Sequence, residues 1–248
     1  MRVYLNCTAN LGDFLNAIPV LSGLKNSYGK YELIVKKETK KFSGFRELLE
    51  YQDFFTSVNC DDEILLYGDQ PIILSSWTRE DKTSEHRPIE TCRYENWLKD
   101  HYNLEYEVDD NVKLKFPYMK TIESYEKFVL GDRWTKELDP NVDTRRKTSV
   151  LKDSGKFNSS YVTYLSYYNS LFYNMNVIHN SEKPFITTFT GIGILADLMG
   201  KETIVLYDDD MKMWDGRPVE YDFERHYYGD RKSKLEYIRE FNLGDLND

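Results

Sequence analysis

Short apolar runs alternate along this chain with longer stretches whose apolar positions recur three and four residues apart. That alternation predicts strands and helices in turn. RVYLNC (2–7) predicts a buried strand, and residues 14–25 an amphipathic helix with Phe14, Ile18, Leu21 and Leu24 on related faces. YELIVKK (31–37) predicts a second strand, FSGFRELLEY (42–51) a short helix, DEILLYG (62–68) and QPIILSSW (70–77) two strands, and 89–101 a helix. From about 103 to 125 the pattern dissolves into charges and Pro117, which suits a linker. A second alternation follows: a strand at 127–131, a polar loop over 132–158, an aromatic helix at 160–175 and a short strand at 176–179. It continues with a strand at 184–188, a helix at 193–200, a strand at 202–207 and a closing helix at 233–241.

Strand–helix alternation implies crossover connections and parallel sheets. The fold class expected is therefore α/β, with two Rossmann-like domains facing a cleft, residues 1–120 and 121–248. The length of 248 residues suits that division, and 40% hydrophobic against 30% charged residues allows a sizeable core. A net charge of -9 argues against a protein that coats nucleic acid without regard to sequence. Three scattered cysteines, Cys7, Cys60 and Cys92, form neither a disulfide framework nor a CxxC zinc pair. The start of the chain meets Gly12 and Asp13 before a signal-peptide core can form, and no apolar run approaches ~18 residues. A soluble, cytoplasmic protein is expected.

Two turns carry the candidate chemistry. In TANLGDF, Gly12 and Asp13 follow the first strand, at the strand end where open α/β sheets bind ligands. A carboxylate there suits a general base that takes a proton from a hydroxyl; it equally suits a cap answering the helix dipole. In TTFTGIGILADLMG, a strand ends at Thr188 and Thr190, Gly191, Ile192 and Gly193 open a helix that stops at Gly200. Glycines at a helix start let backbone approach a phosphate, and free amides favour an anion; Thr187, Thr188 and Thr190 add hydroxyls. The alternative is that Gly191 and Gly193 serve close packing alone.

These residues carry a resemblance. NLGDFLNAIPVLSGL resembles the N-terminal "GD…P.L..L" motif of the ADP-heptose:lipopolysaccharide heptosyltransferase family, and TFTGIGILADLMGKETIVLYDDD resembles that family's "DTGxxHLAAxxGxPTVxLFGxTDP" segment. The motifs stand in the family's order, at opposite ends of the chain. The resemblance implies a compact GT-B glycosyltransferase, with the acceptor bound by the first domain and a nucleotide-sugar by the second. It places the catalytic base on Asp13 and the donor phosphates along Thr190 and Gly191. This chain has Phe189 where the family has Asp, and Ile194 where it has His.

A GT-B reaction neutralises the departing diphosphate with cations and dipoles, without an obligatory metal or other cofactor, the nucleotide-sugar being a co-substrate. Arg133 and Lys136 directly follow the second domain's first strand and are candidates for that work; a solvated charged loop is the alternative. Trp214 is a candidate cover for nucleobase or sugar, or an exposed anchor. Asp208 and Asp210 form a D-x-D, the pattern that holds Mg²⁺ or Mn²⁺ in GT-A enzymes; so near the chain's end it is read as an acidic loop. On the acceptor side stand Asn10, Gly12, Lys36 and Lys37, the lysines opening a basic island (35–46) that suits a polyanionic acceptor or simply a soluble surface. His86, His101, His179 and His226 show no ligand spacing. The expected activity is sugar transfer from a nucleotide-sugar to a glycan hydroxyl. The same fold admits a hydroxymethylated base in viral DNA as acceptor, and a metal-dependent GT-A enzyme or a non-catalytic nucleotide- or sugar-binding protein are further alternatives.

Overall fold

The computed structural model describes residues 1–7, 11–36, 44–60, 69–76, 88–117, 128–131, 162–165, 170–188, 190–207, 223 and 232–242. The element order is β1 (Arg2–Asn6), α1 (Leu11–Leu15), α2 (Ile18–Tyr28), β2 (Tyr31–Val35), α3 (Phe45–Tyr51), β3 (Phe55–Asn59), β4 (Ile72–Ser75) and α4 (Ile89–Tyr102). Then come β5 (Phe128–Gly131), β6 (Val162–Leu165), α5 (Leu171–Asn180), β7 (Phe185–Thr187), α6 (Gly191–Leu198), β8 (Thr203–Tyr207) and β9 (Ser233–Tyr237). The strands form two all-parallel sheets, ordered β3-β2-β1-β4 and β6-β5-β7-β8-β9. The α/β class expected from the alternation is the class observed.

Apolar pattern and register agree in both sheets. Val3 and Leu5 of β1 are fully buried and stand beside Leu33 and Val35 of β2 and Ile72 and Leu74 of β4. In the second sheet Ile186 of β7 neighbours Ile204 of β8 and Leu130 of β5. β8 is buried over Thr203–Leu206, as a central parallel strand covered on both faces should be. Helices α2 and α6 lay Ile18, Leu21 and Leu24, and Leu195 and Leu198, into the same core.

Several elements differ from the pattern reading. The helix expected over 14–25 is two helices, because Pro19 sits in the first turn of α2 and its ring cannot accept a continued helix before it. β3 carries no strand pattern in the sequence: only Phe55 and Val58 of its five residues are buried, so FTSVN lacks a clean alternation. The helix expected over 160–175 is the strand β6 followed by a helix that starts late. Val162, Thr163 and Tyr164 are β-formers paired to β5, and Ser170 opens α5 by accepting a hydrogen bond from Tyr173 N at 3.2 Å. The strand expected at 176–179 lies inside that helix, where Val177 and Ile178 join Leu171 and Met175 in the core. The closing helix expected at 233–241 is β9 and a turn; pairing with β8 overrides a spacing that also fits a helical face. The strand expected at 62–68 and the polar loop expected over 132–158 lie outside the described residues.

The segment read as a linker is packed over residues 103–117. Val108, Val112, Leu114 and Phe116 are buried. Asp109 N donates to Pro19 O at 3.1 Å, and the Ser22 hydroxyl to Asp109 Oδ2 at 2.6 Å. Gly23 of α2 has no room for a side chain, since a Cβ would run into Glu107 O. Gln52, at the end of α3, exchanges hydrogen bonds with the Lys115 backbone, and Leu114 N donates to Leu198 O of α6 at 3.0 Å. The segment thus ties helices of the first sheet to a helix of the second.

Candidate functional site

Each sheet order reverses at one place. In the first sheet the chain moves outward from β1 through β2 to β3, then returns to place β4 on the other side of β1. In the second it runs from β5 to β6, then returns to place β7 beside β5. Such switch points leave a crevice at the carboxyl ends of the strands, because successive connections depart in opposite directions. The β1–α1 turn and the β7–α6 turn both lie at these places.

The two turns touch. A Cβ on Gly191 would stand 2.8 Å from Gly12 N and 2.9 Å from the Leu11 Cβ. One on Gly12 would stand 2.9 Å from Ile194 Cδ1, with the Gly191 Cα at 3.8 Å. Two helix starts approach at backbone distance, and the missing side chains permit it. Asp13, next in sequence to Gly12, is half-buried at this contact. Its backbone oxygen accepts from the Tyr94 hydroxyl at 3.2 Å.

The second turn is held by its own hydroxyls. Thr190 is the N-cap of α6, extended at φ -140 and ψ 157, and its Oγ1 accepts from Gly193 N at 3.2 Å. The Thr187 hydroxyl donates to Thr188 O at 2.9 Å, so the 3.1 Å contact between the two threonine oxygens takes its proton from Thr190. The Thr187 and Thr190 protons are therefore both committed within the turn. Thr188 is 1% exposed, and its Oγ1 has no hydrogen-bond partner among the described residues. Ile192 is buried, so its side chain belongs to the core, and its amide, like that of Gly191, has no acceptor within the helix. The glycine-rich turn thus combines close packing with a helix start whose first amides point out of its ladder.

The surroundings of the first turn are buried and polar. Tyr94 is fully buried, and burial first, then the nearby Cys7 and the Asp13 charge, push its hydroxyl well above the ordinary tyrosine range. It therefore stays protonated and donating across the ordinary pH range. Sequence patterns could not single it out, since Asp13 lies 81 positions away. Lys36 stands at the end of β2, its amide donating to Leu5 O at 3.1 Å. Asn10, Lys37, Arg133, Lys136 and Trp214 lie outside the described residues, as do Asp208 and Asp210. Among the described residues no cluster of His, Cys, Asp and Glu has metal-binding geometry, and no helix is long and apolar enough to cross a membrane.

The parallel α/β architecture is similar to that of solved glycosyltransferase structures. E. coli heptosyltransferase WaaC with ADP matches over 100% of this chain and 98% of its own, with a TM-score of 0.54 and 11% sequence identity. A glycosyl transferase of family 9 from Veillonella parvula matches over 95% of this chain and 85% of its own, with a TM-score of 0.55 and 11% identity. WaaC with ADP-2-deoxy-2-fluoro heptose matches over 95% and 93%, with a TM-score of 0.52 and 12% identity. No protein-family model and no curated protein sequence matches the chain.

Proposed function

We propose that this protein is a GT-B glycosyltransferase that moves a sugar from a nucleotide-sugar to a glycan hydroxyl. Residues 1–120 bind the acceptor and residues 121–248 the donor. The observation that carries this reading is the contact between Gly12 and Gly191, which sets an acid-bearing turn against a helix start at the switch points of two parallel sheets.

In this mechanism the Asp13 carboxylate takes the proton of the acceptor hydroxyl as its oxygen attacks the anomeric carbon. The bond from that carbon to the donor phosphate breaks, and the diphosphate leaves with the bonding electron pair. Its growing charge is met by the Gly191 and Ile192 amides, by the positive end of α6, and by Arg133 or Lys136. Asn10, Gly12, Lys36 and Lys37 border the acceptor. Thr188, Thr190 and Gly193 shape the donor turn, and Trp214 covers the base or sugar. An ADP-linked sugar is the first donor to test, since matched structures carry ADP and an ADP-linked heptose analogue.

Thermal unfolding in the presence of ADP-, UDP-, GDP- and CMP-linked sugars tests the reading. A ligand at about 100 times its Kd adds about 2.7 kcal/mol, so one nucleotide series should raise Tm clearly above the rest. No rise with any of them at millimolar concentration rejects a donor site. Turnover that survives EDTA separates this reading from a metal-dependent one built on Asp208 and Asp210.

A further inference from the structure

We infer that Thr91 and Tyr94 of α4 are positioning residues for the Asp13 carboxylate. The inference rests on the reading of Asp13 as the base and goes beyond it, because both residues are fully buried and act through backbone carbonyls. α1 has only five residues, too few to hold a helix by its own ladder. Its last turn is also irregular. Asn16 N bonds Gly12 O at 3.0 Å, but Ala17 N turns to Phe14 O at 3.1 Å, away from the Asp13 oxygen a regular helix would give it. Pro19 has no amide to extend the ladder further. The Asp13 carbonyl is satisfied from outside, by the Tyr94 hydroxyl at 3.2 Å. Three residues on, Asn16 O accepts from the Thr91 hydroxyl at 2.8 Å.

Thr91 and Tyr94 are themselves three apart on one face of α4, so two hydroxyls at helical spacing grip two carbonyls at the same spacing. Both are fully buried, which makes an unmade bond costly at either end. Tyr94 also neighbours Cys7, just beyond β1, and Ser76, just beyond β4. Its hydroxyl therefore references the Asp13 turn to both strands of the first switch point. A carboxylate carried on a short, broken helix is aimed by this grip.

The test is a double-mutant cycle of Tyr94→Phe with Asp13→Asn, with Thr91→Val as a second grip variant. Turnover of the ADP-sugar that stabilises the protein is counted per ADP-binding site, with sites titrated by calorimetry so that unfolded protein drops out. Tyr94→Phe should lower turnover about tenfold with donor affinity within about twofold, since small misplacement of a reacting group is expensive. In the Asp13→Asn background it should lower the residual rate no further. Amide exchange over residues 12–17 should rise about tenfold in either grip variant while α5 stays unchanged. An equal fall in both backgrounds, no fall from Tyr94→Phe, or unchanged exchange over 12–17 overturns the inference. Intact turnover in Asp13→Asn alone overturns instead the assignment of the base.

Discussion

The two glycine turns both flank the switch points of their sheets, one after the departing strand β1 and one after the returning strand β7, and they are built in opposite ways. The second turn is local: Thr190 caps the helix it starts, Thr187 supports the cap, and α6 runs regularly for eight residues with its apolar side chains in the core. The first turn is held from a distance. Its helix is five residues long and stops before Pro19, and the carbonyls of Asp13 and of Asn16, just past its end, find their partners on α4. The difference suits the tasks proposed for them. An array of backbone amides needs only a well-formed helix start, whereas one carboxylate must be aimed, and aiming requires contacts from several directions.

The largest effect that would separate the turns is catalytic. Asp13→Asn should lower turnover by about 10²–10⁴-fold, the usual weight of a general base, with donor affinity kept. Steady-state rates beside calorimetric nucleotide binding check this, and parallel losses of rate and affinity would erase the distinction between an acid pole and an anion pole. Next comes the contact itself. Gly191→Ala drives a methyl against Gly12 N and the Leu11 Cβ, and should cost about 1–3 kcal/mol of stability. Gly12→Ala meets only the swinging end of Ile194 and gains helix propensity of up to about 1 kcal/mol, so it should be near neutral. Denaturant midpoints measure both, and an equal cost would mean that the turns do not meet as described.

A smaller effect tests whether the second turn is locally held. Thr190→Val removes the cap and should cost about 1 kcal/mol, with protection lost at α6 and kept at α1. The smallest is a pH effect at α5. Burial and the Lys201 charge lower the His179 pKa below its ordinary 6.5, and the His179 ring packs edge-on against Phe116. The unfolded chain then binds the proton more readily, so stability is full above about pH 6.5 and declines as pH falls below it. Exchange at pH 5.5 against 7.5 should show loosening at α5 with α1 unchanged, because Tyr94 and Thr91 do not titrate there.

Much of the fold is legible in the chain itself. β1, β2, β8 and α6 combine apolar patterning with turn residues that agree, so local preference and tertiary role coincide at Val3, Leu33, Val205 and Leu195. β6, β9 and α5 differ from the pattern because Val162–Leu165, Asn176–His179 and Ser233–Tyr237 are short enough that a period of two and a period of 3.6 both fit. Pairing to β5 and to β8 decided the two strands, and the Ser170 cap decided where α5 begins.

By itself the sequence determined the α/β class, the two turns, the Asp after Gly12 and the glycines opening α6, because these depend on local patterning and backbone preference. Only the tertiary structure decided that Gly12 meets Gly191, that residues 103–117 clasp helices of both sheets, and that Tyr94 and Thr91 hold the turn bearing Asp13. Each of these joins residues remote along the chain, and no local preference encodes a contact whose partners meet only when separate sheets and helices pack.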